Sequence, residues 1–351
     1  MTRCKRCWMP DTRPGSEFED GVCGACWNFD TRVQVNWKAR ERELDDFLDK
    51  FRKPKELGND CIVAVSGGKD SHRLVKEVVD RGMKPLLVTV NDSFSKTTAG
   101  QDNLRNLIET FNLNHWQYTI SHDLFIRATR WAFEQTGEAL KFVEYAIYTV
   151  PCMLAKQLNI GLVIFGENAA FEYGNTDYND YVANPAVNAM ISQMEHDYAF
   201  WENGGISRGE VDSIKPRPMD YPLIIYMSYF IPWSSLDNYR IAKTLGFRDL
   251  EGEWDRKGTI ENFEQIDSYA YMVHLWLKYP KFGFQRVSDI ASRRVREGVM
   301  GLEEAKREIA TKDFELDPEA LEDFCKTLGY EIHEFWDIVN TAAWNGGYYG
   351  G

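Results

Sequence analysis

Two groups of residues carry the chemistry of this chain. The first is Ser66-Gly67-Gly68-Lys69-Asp70-Ser71, which follows the apolar run Cys61–Val65 and opens a helical pattern over Ser71–Asp80. Adjacent glycines let backbone N–H groups converge on an anion with no Cβ in the way. Ser66 and Ser71 add hydroxyl donors, Lys69 a positive charge, and the first helical turn the positive end of its dipole. Such a turn holds a phosphate. It is shorter than the Walker loop, which sets four residues between its glycines and Lys-Ser/Thr after the second; here Asp70 follows the lysine. The second group is Cys4-Lys-Arg-Cys7 and, fifteen residues on, Cys23-Gly-Ala-Cys26. Two such turns, each offering both sulfurs, close one tetrahedral zinc site with no open position, so zinc there would be structural. The intervening Trp8–Val22 has too little apolar content for its own core and would depend on the metal. An iron–sulfur cluster is the competing occupant. Cys61, Cys152 and Cys325 stand alone near apolar residues and read as buried small hydrophobes rather than nucleophiles.

The elements that must position these residues alternate. Apolar strands are expected at Cys61–Val65, Pro85–Val90, His115–Ile120 and Gly161–Phe165, with helices over Ser71–Asp80, Gln101–Phe111 and the long pattern Asp123–Gln157. Continuous apolar strands separated by helices predict an α/β fold with a parallel sheet covered on both faces, and ligands of such sheets collect at the carboxyl ends of the strands. Two further strand ends carry polar residues there. Val90-Asn91-Asp92 could read a nucleotide sugar or base, or merely cap the next segment. Gly166-Glu167-Asn168 offers a close backbone approach and, in Glu167, a candidate Mg²⁺ ligand. Asp70 is a second metal candidate, or a cap for the helix it begins.

Residues 1–30 read as a zinc ribbon, and 31–58 as a link containing an amphipathic helix over 36–52, expected to dock the ribbon on the body. Residues 59–235 read as the sheet domain and 236–351 as a helical C-terminal region completing the site. Within the last, 260–279 reads as a strongly aromatic helix, and 302–340 as two or three more. Lys281 and Arg286 are candidate cations for a departing polyphosphate, whose growing charge needs more than one lysine. The polar, aromatic stretch after residue 172 is a candidate substrate wall.

Composition narrows the possibilities. With 44% hydrophobic and 27% charged residues over 351 positions, the chain suits a globular protein of two or three units. A net charge of −13 argues against nucleic acid as the partner. No apolar stretch is long enough to span a bilayer, and the first residues lack the apolar core of a signal peptide, so a cytoplasmic location is expected.

The joint pattern of both cysteine turns, SGGKDS, Val150-Pro151-Cys152, Gly166-Glu167-Asn168, Phe171-Glu172-Tyr173-Gly174, Tyr229-Phe230-Ile231-Pro232-Trp233 and Lys281-Phe282-Gly283-Phe284 resembles the N-acetyl sugar amidotransferase family, within the PP-loop ATP pyrophosphatases of HUP-like fold. The likeness runs from Cys4 to about residue 310; Gln285-Arg286-Val287-Ser288 departs from the small Gly-Arg-Ala-Thr type of segment expected there. The resemblance implies that ATP adenylates the oxygen of a sugar acetamido group and that ammonia displaces AMP to give an acetamidino sugar, in lipopolysaccharide O-antigen or flagellin-glycan synthesis. It implies ATP and Mg²⁺ contacts from Ala64, Ser66, Gly67, Gly68, Lys69, Asp70, Ser71, Val90, Asn91, Gly166, Glu167 and Asn168. Catalytic roles would fall to Lys69, Asp70, Lys281 and Arg286, and sugar contacts to Glu172, Tyr173, Asn175 and Trp233. The implied substrate is a nucleotide-linked uronate or a nonulosonate. Ammonia would come from a separate glutaminase with a cyclase-like subunit. A tRNA-thiolating PP-loop enzyme is the alternative, and a non-enzymatic nucleotide sensor a more distant one.

Overall fold

A computed structural model describes residues 1–168, 174, 181–216 and 222–348. The short strands β1 (Phe18–Glu19) and β2 (Val22–Cys23) pair antiparallel in the N-terminal ribbon. The main sheet is built from β3 (Cys61–Ala64), β4 (Pro85–Asn91), β5 (His115–Thr119), β6 (Leu162–Phe165) and β7 (Leu223–Tyr226), all parallel, in the order β5-β4-β3-β6-β7. The α/β expectation is met. The chain moves outward from β3 to β5 and then returns to β6 on the other side of β3, so the crevice between β3 and β6 is the switch point where such sheets bind ligands.

Pleating alternates the strand residues between two layers. Cys61, Val63, Leu87, Leu162, Ile164 and Ile225 pack with Leu44, Phe47 and Leu48 of the helix Trp37–Asp49 and with Leu74, Val75 and Val78 of the helix Lys69–Asp80. Ile62, Leu86, Val163 and Ile224 face Cys152, Leu154 and Ala155 of the helix Lys141–Gln157. A larger core unites that middle helical region with the C-terminal helices and includes Met194 and Trp201. Among the described residues no helix is long and apolar enough to cross a membrane.

Four expectations need correction. The long pattern Asp123–Gln157 is two helices, His122–Thr136 and Lys141–Gln157, broken at Gly137, whose φ of 64° suits glycine. Residues 260–270 are not helical; helix begins only at Tyr271. Residues 262–265 are bends, and 267–269 run along the loop after β4: Ser268 bridges Lys96, Thr97 N–H donates to the Asp267 carbonyl at 3.3 Å, and Tyr269 N–H donates to the Ser95 carbonyl at 3.1 Å. An additional helix, Gly24–Val33, completes the ribbon. The ribbon docks on the C-terminal region rather than through the helix Trp37–Asp49, which serves the sheet. Phe282, Phe284 and Val295 pack against the cysteine cluster, and Arg13 pairs with buried Asp289 at 2.6 Å. The last region holds three helices, Leu302–Lys312, Pro318–Leu328 and Ile332–Thr341.

Candidate functional site

The loop after β3 is held by its own side chains. Ser66 N–H donates to Ser71 Oγ at 3.0 Å, and Gly68 N–H to Ser66 Oγ at 3.2 Å. Gly67 has φ 94°, and a Cβ there would lie 2.9 Å from the backbone of Leu104, so only glycine fits. The helix Lys69–Asp80 starts with Gly68 as its N-cap and no side chain capping it. This is the geometry in which a helix N-terminus receives an anion. Asp70 sits in the first turn and is not the cap. Buried His72 buttresses the turn from behind: Asn106 Nδ2 lies 3.3 Å from its Nε2, and its Nδ1 is 3.0 Å from the Gly68 carbonyl. Burial lowers its pKa, which favours the neutral ring.

Two cavities meet at this turn. One, of about 230 Å³, is lined by Ala64, Ser66, Ser71, Val90, Gly166 and Glu167, with Tyr148 and Pro151 of the overlying helix closing it. It gathers six of the residues expected at the nucleotide. Asn91 ends β4 half-buried, paired in register with Thr119. The second cavity is walled by Lys69 and Asp70, by Glu167 and Asn168 after β6, by Trp233, by Ala25, Phe29 and Arg32 of the ribbon helix, and by Arg293 and Arg296 of the helix Arg286–Arg296. Lys69, Asp70, Glu167, Asn168 and Trp233 therefore line one cavity. Glu172, Tyr173 and Asn175 lie outside the described residues.

The lysine of the loop is buried at 4% exposure and carries two acids: Asp70 at 2.6 Å and Glu264 at 2.9 Å. Asn238 donates to the other Asp70 oxygen at 2.7 Å. Glu264 in turn pairs with Arg293 at 2.7 Å and with Arg286, and accepts from Ser235 Oγ. Arg286 thus joins the site through Glu264. Lys281 does not join it in this way: its ammonium lies 3.5 Å from Glu138 Oε1, in a separate polar group with Glu144 and Lys141. Three residues beyond Glu264, Asp267 is held close to Ser66, and burial pushes its carboxyl up to about 6.

Sequence reasoning missed Glu264, Arg293, Arg296, Ser235 and Asn238. Glu264 escaped because its segment was read as a helix packing inward. The run Arg293-Arg294-Val295-Arg296 was a visible signal, since such a cationic cluster at a helix end invites an anionic partner.

The four sulfurs of Cys4, Cys7, Cys23 and Cys26 lie within 4.8 Å of one another, with Cys4–Cys26 at 3.8 Å, Cys7–Cys23 at 3.5 Å and Cys23–Cys26 at 3.6 Å. Tetrahedral Zn–S bonds of about 2.3 Å place sulfurs roughly 3.8 Å apart, so the donor set fits zinc. Arg296 donates to Cys7 Sγ at 3.5 Å, placing a positive charge where four thiolates on Zn²⁺ would leave a net negative one. The other cysteines are buried. Burial raises the Cys61 thiol pKa, pushes Cys152 up to about 12 and Cys325 to about 11, the opposite of an activated nucleophile. Cys152→Ser is expected to retain turnover within about twofold. A loss of two orders of magnitude in a folded variant would establish a cysteine mechanism instead.

Comparison with known proteins adds the following. Residues 257–346 match the family model described as LPS biosynthesis protein WbpG-like, C-terminal domain. That segment contributes Glu264, Arg286, Arg293 and Arg296. The chain is similar to the NMN synthetase of Francisella tularensis (15% identity, 84% of this chain and 94% of that one, TM-score 0.35). It is also similar to the NH3-dependent NAD synthetase of Campylobacter jejuni (16% identity, 63% and 89%, TM-score 0.31). A third similar structure is a predicted tRNA methyltransferase subunit of Methanocaldococcus jannaschii (14% identity, 62% and 85%, TM-score 0.30). No curated protein matches significantly.

Proposed function

We propose that the chain is an ATP-dependent amidotransferase that converts a sugar acetamido group to an acetamidino group in lipopolysaccharide or related surface-glycan synthesis. One observation carries this most directly. The lysine of a phosphate-binding turn is ion-paired to Glu264 of the WbpG-like domain and lines a cavity whose walls also carry Trp233, Arg293 and Arg296. The nucleotide lies over the ends of β3, β4 and β6, and its phosphates on the backbone of Gly67 to Lys69. The sugar occupies the cavity between Trp233, the ribbon helix and Arg296, where an aromatic face and polar groups suit a pyranose.

An amide is a poor electrophile because its oxygen leaves badly. Its oxygen attacks the α-phosphorus, the bond to the β-phosphate breaks, and pyrophosphate departs towards Lys69 and Arg293. Ammonia then adds to the adenylated carbon, and AMP leaves with the original amide oxygen. Asp70 and Glu167 wall the same cavity beside the loop, which fits a Mg²⁺ between carboxylates and phosphates; the ion would supply charge neutralisation as pyrophosphate forms. The four cysteines hold a structural Zn²⁺ in this proposal. Ammonia comes from a separate glutaminase with a cyclase-like subunit, because all seven cysteines are either clustered or buried with raised thiols and offer no glutaminase nucleophile.

Mass spectrometry of products from ATP, ammonium and a panel of diacetamido sugars tests this. The expected result is AMP, pyrophosphate and a sugar in which NH replaces oxygen, with acetamido ¹⁸O recovered in AMP. Release of ADP, or robust turnover on glutamine alone, would overturn it.

A further inference from the structure

Three cations converge on one buried carboxylate at the mouth of the phosphate loop. Lys69 Nζ is 2.9 Å and Arg293 Nη2 2.7 Å from Glu264 Oε1, and Arg286 pairs with the other oxygen. The carboxylate and two of its cations are buried: Glu264 is 5% exposed, Lys69 4% and Arg286 6%. Asp70 shares Lys69, and Glu261 stands 3.9 Å from Arg286 but is itself bound to Arg294 at 2.9 Å. Lys69, Arg286 and Arg293 thus share Glu264 at one place. Glu264 sits in a bent, non-helical segment that is tied down just beyond it, where residues 267–269 run beside Ser95–Thr97.

We propose that Glu264 is a placeholder anion: it holds Lys69, Arg286 and Arg293 together in the empty protein and competes with the departing pyrophosphate for them. Lys69 and Arg293 line the cavity, so a pyrophosphate on the loop reaches both, while Arg286 reinforces them from behind. The carboxylate keeps three like charges assembled before a ligand arrives, and its repulsion helps expel the product anion afterwards. This gives the WbpG-like domain a defined task at the loop, that of a positioning element for the cations. The proposal rests on the assignment of the loop to ATP.

The competition fixes a sign that a purely structural role would reverse. In Glu264→Gln the side chain keeps its shape and its one carbonyl oxygen can still accept from Ser235, Lys69 and Arg293, but its charge is gone and its NH2 faces Arg286. The variant is expected to bind magnesium pyrophosphate at least about fivefold tighter than the parent, measured by calorimetry on the full-length, zinc-loaded chain. The gain should shrink as salt is raised. A structural clamp predicts weaker binding. Arg293→Gln supplies the converse and remains informative if the first variant does not fold: one cation fewer should weaken pyrophosphate about tenfold. Equal or weaker binding by a folded Glu264→Gln chain, or unchanged binding by Arg293→Gln, would overturn the placeholder role while leaving the ATP assignment intact. A parent protein that binds neither pyrophosphate nor a non-hydrolysable ATP analogue would overturn both.

Discussion

Lys69→Met lowers AMP formation by roughly 10²–10³-fold, the usual loss when one preorganised charge is removed from a polyanionic transition state. The effect should appear without global unfolding. The methionine keeps most of the buried stem of the lysine, and the acids that Lys69 leaves are partnered elsewhere: Glu264 by Arg286 and Arg293, Asp70 by Asn238. Steady-state kinetics with saturating ammonium, alongside a melting curve, checks it. A folded Lys69→Met enzyme that turns over at the parental rate would remove the loop from the reaction, and with it the adenylation chemistry.

Stripping the metal from the four-cysteine cluster, or replacing Cys26 by serine, should abolish amidination while leaving nucleotide affinity within a few-fold. A structural zinc site supplies on the order of 10 kcal/mol to a small domain, more than the few apolar residues of the ribbon can supply by burial. Without it the helix Gly24–Val33 loses its anchor, and Ala25, Phe29 and Arg32 leave the cavity wall; Arg296 loses the sulfur it donates to. The nucleotide cavity is built from the sheet and the helix Lys141–Gln157 and does not use the ribbon. Metal content per chain, limited proteolysis ahead of residue 37 and binding of an ATP analogue, read together, separate the two cavities. Full amidination by a metal-free protein would show that the ribbon is dispensable to the site.

How much of this was legible in the sequence differs from part to part. The strands were visible because a sheet covered on both faces needs uninterrupted apolar runs, and Cys61–Ala64, Pro85–Asn91 and Leu162–Phe165 supply them. The loop was legible because its chemistry is local: two glycines, a lysine and two serines do their work within six positions. Glu264 was not, because its role depends on a partner almost two hundred positions away and on backbone bonds to residues 95–97 that override the helical pattern of its own segment. Lys281 shows the reverse case. Its charge suited the expected chemistry, but the fold gives that ammonium to Glu138. Type and spacing identify groups able to do a task; only the packing of the C-terminal region decides which of them arrive.

The ribbon's attachment has a consequence for how the chain is made. The ribbon finds its seat on residues 282–296, with contacts some 270 positions apart along the chain: Thr12 bonds the Phe282 carbonyl, Arg3 reaches Ser288, and Arg13 meets Asp289. Contacts so distant along the polymer form late. A nascent chain therefore displays its cysteine turns uncovered throughout the synthesis of everything between. Early capture of metal by the emerging thiols would protect that segment until the far end is translated.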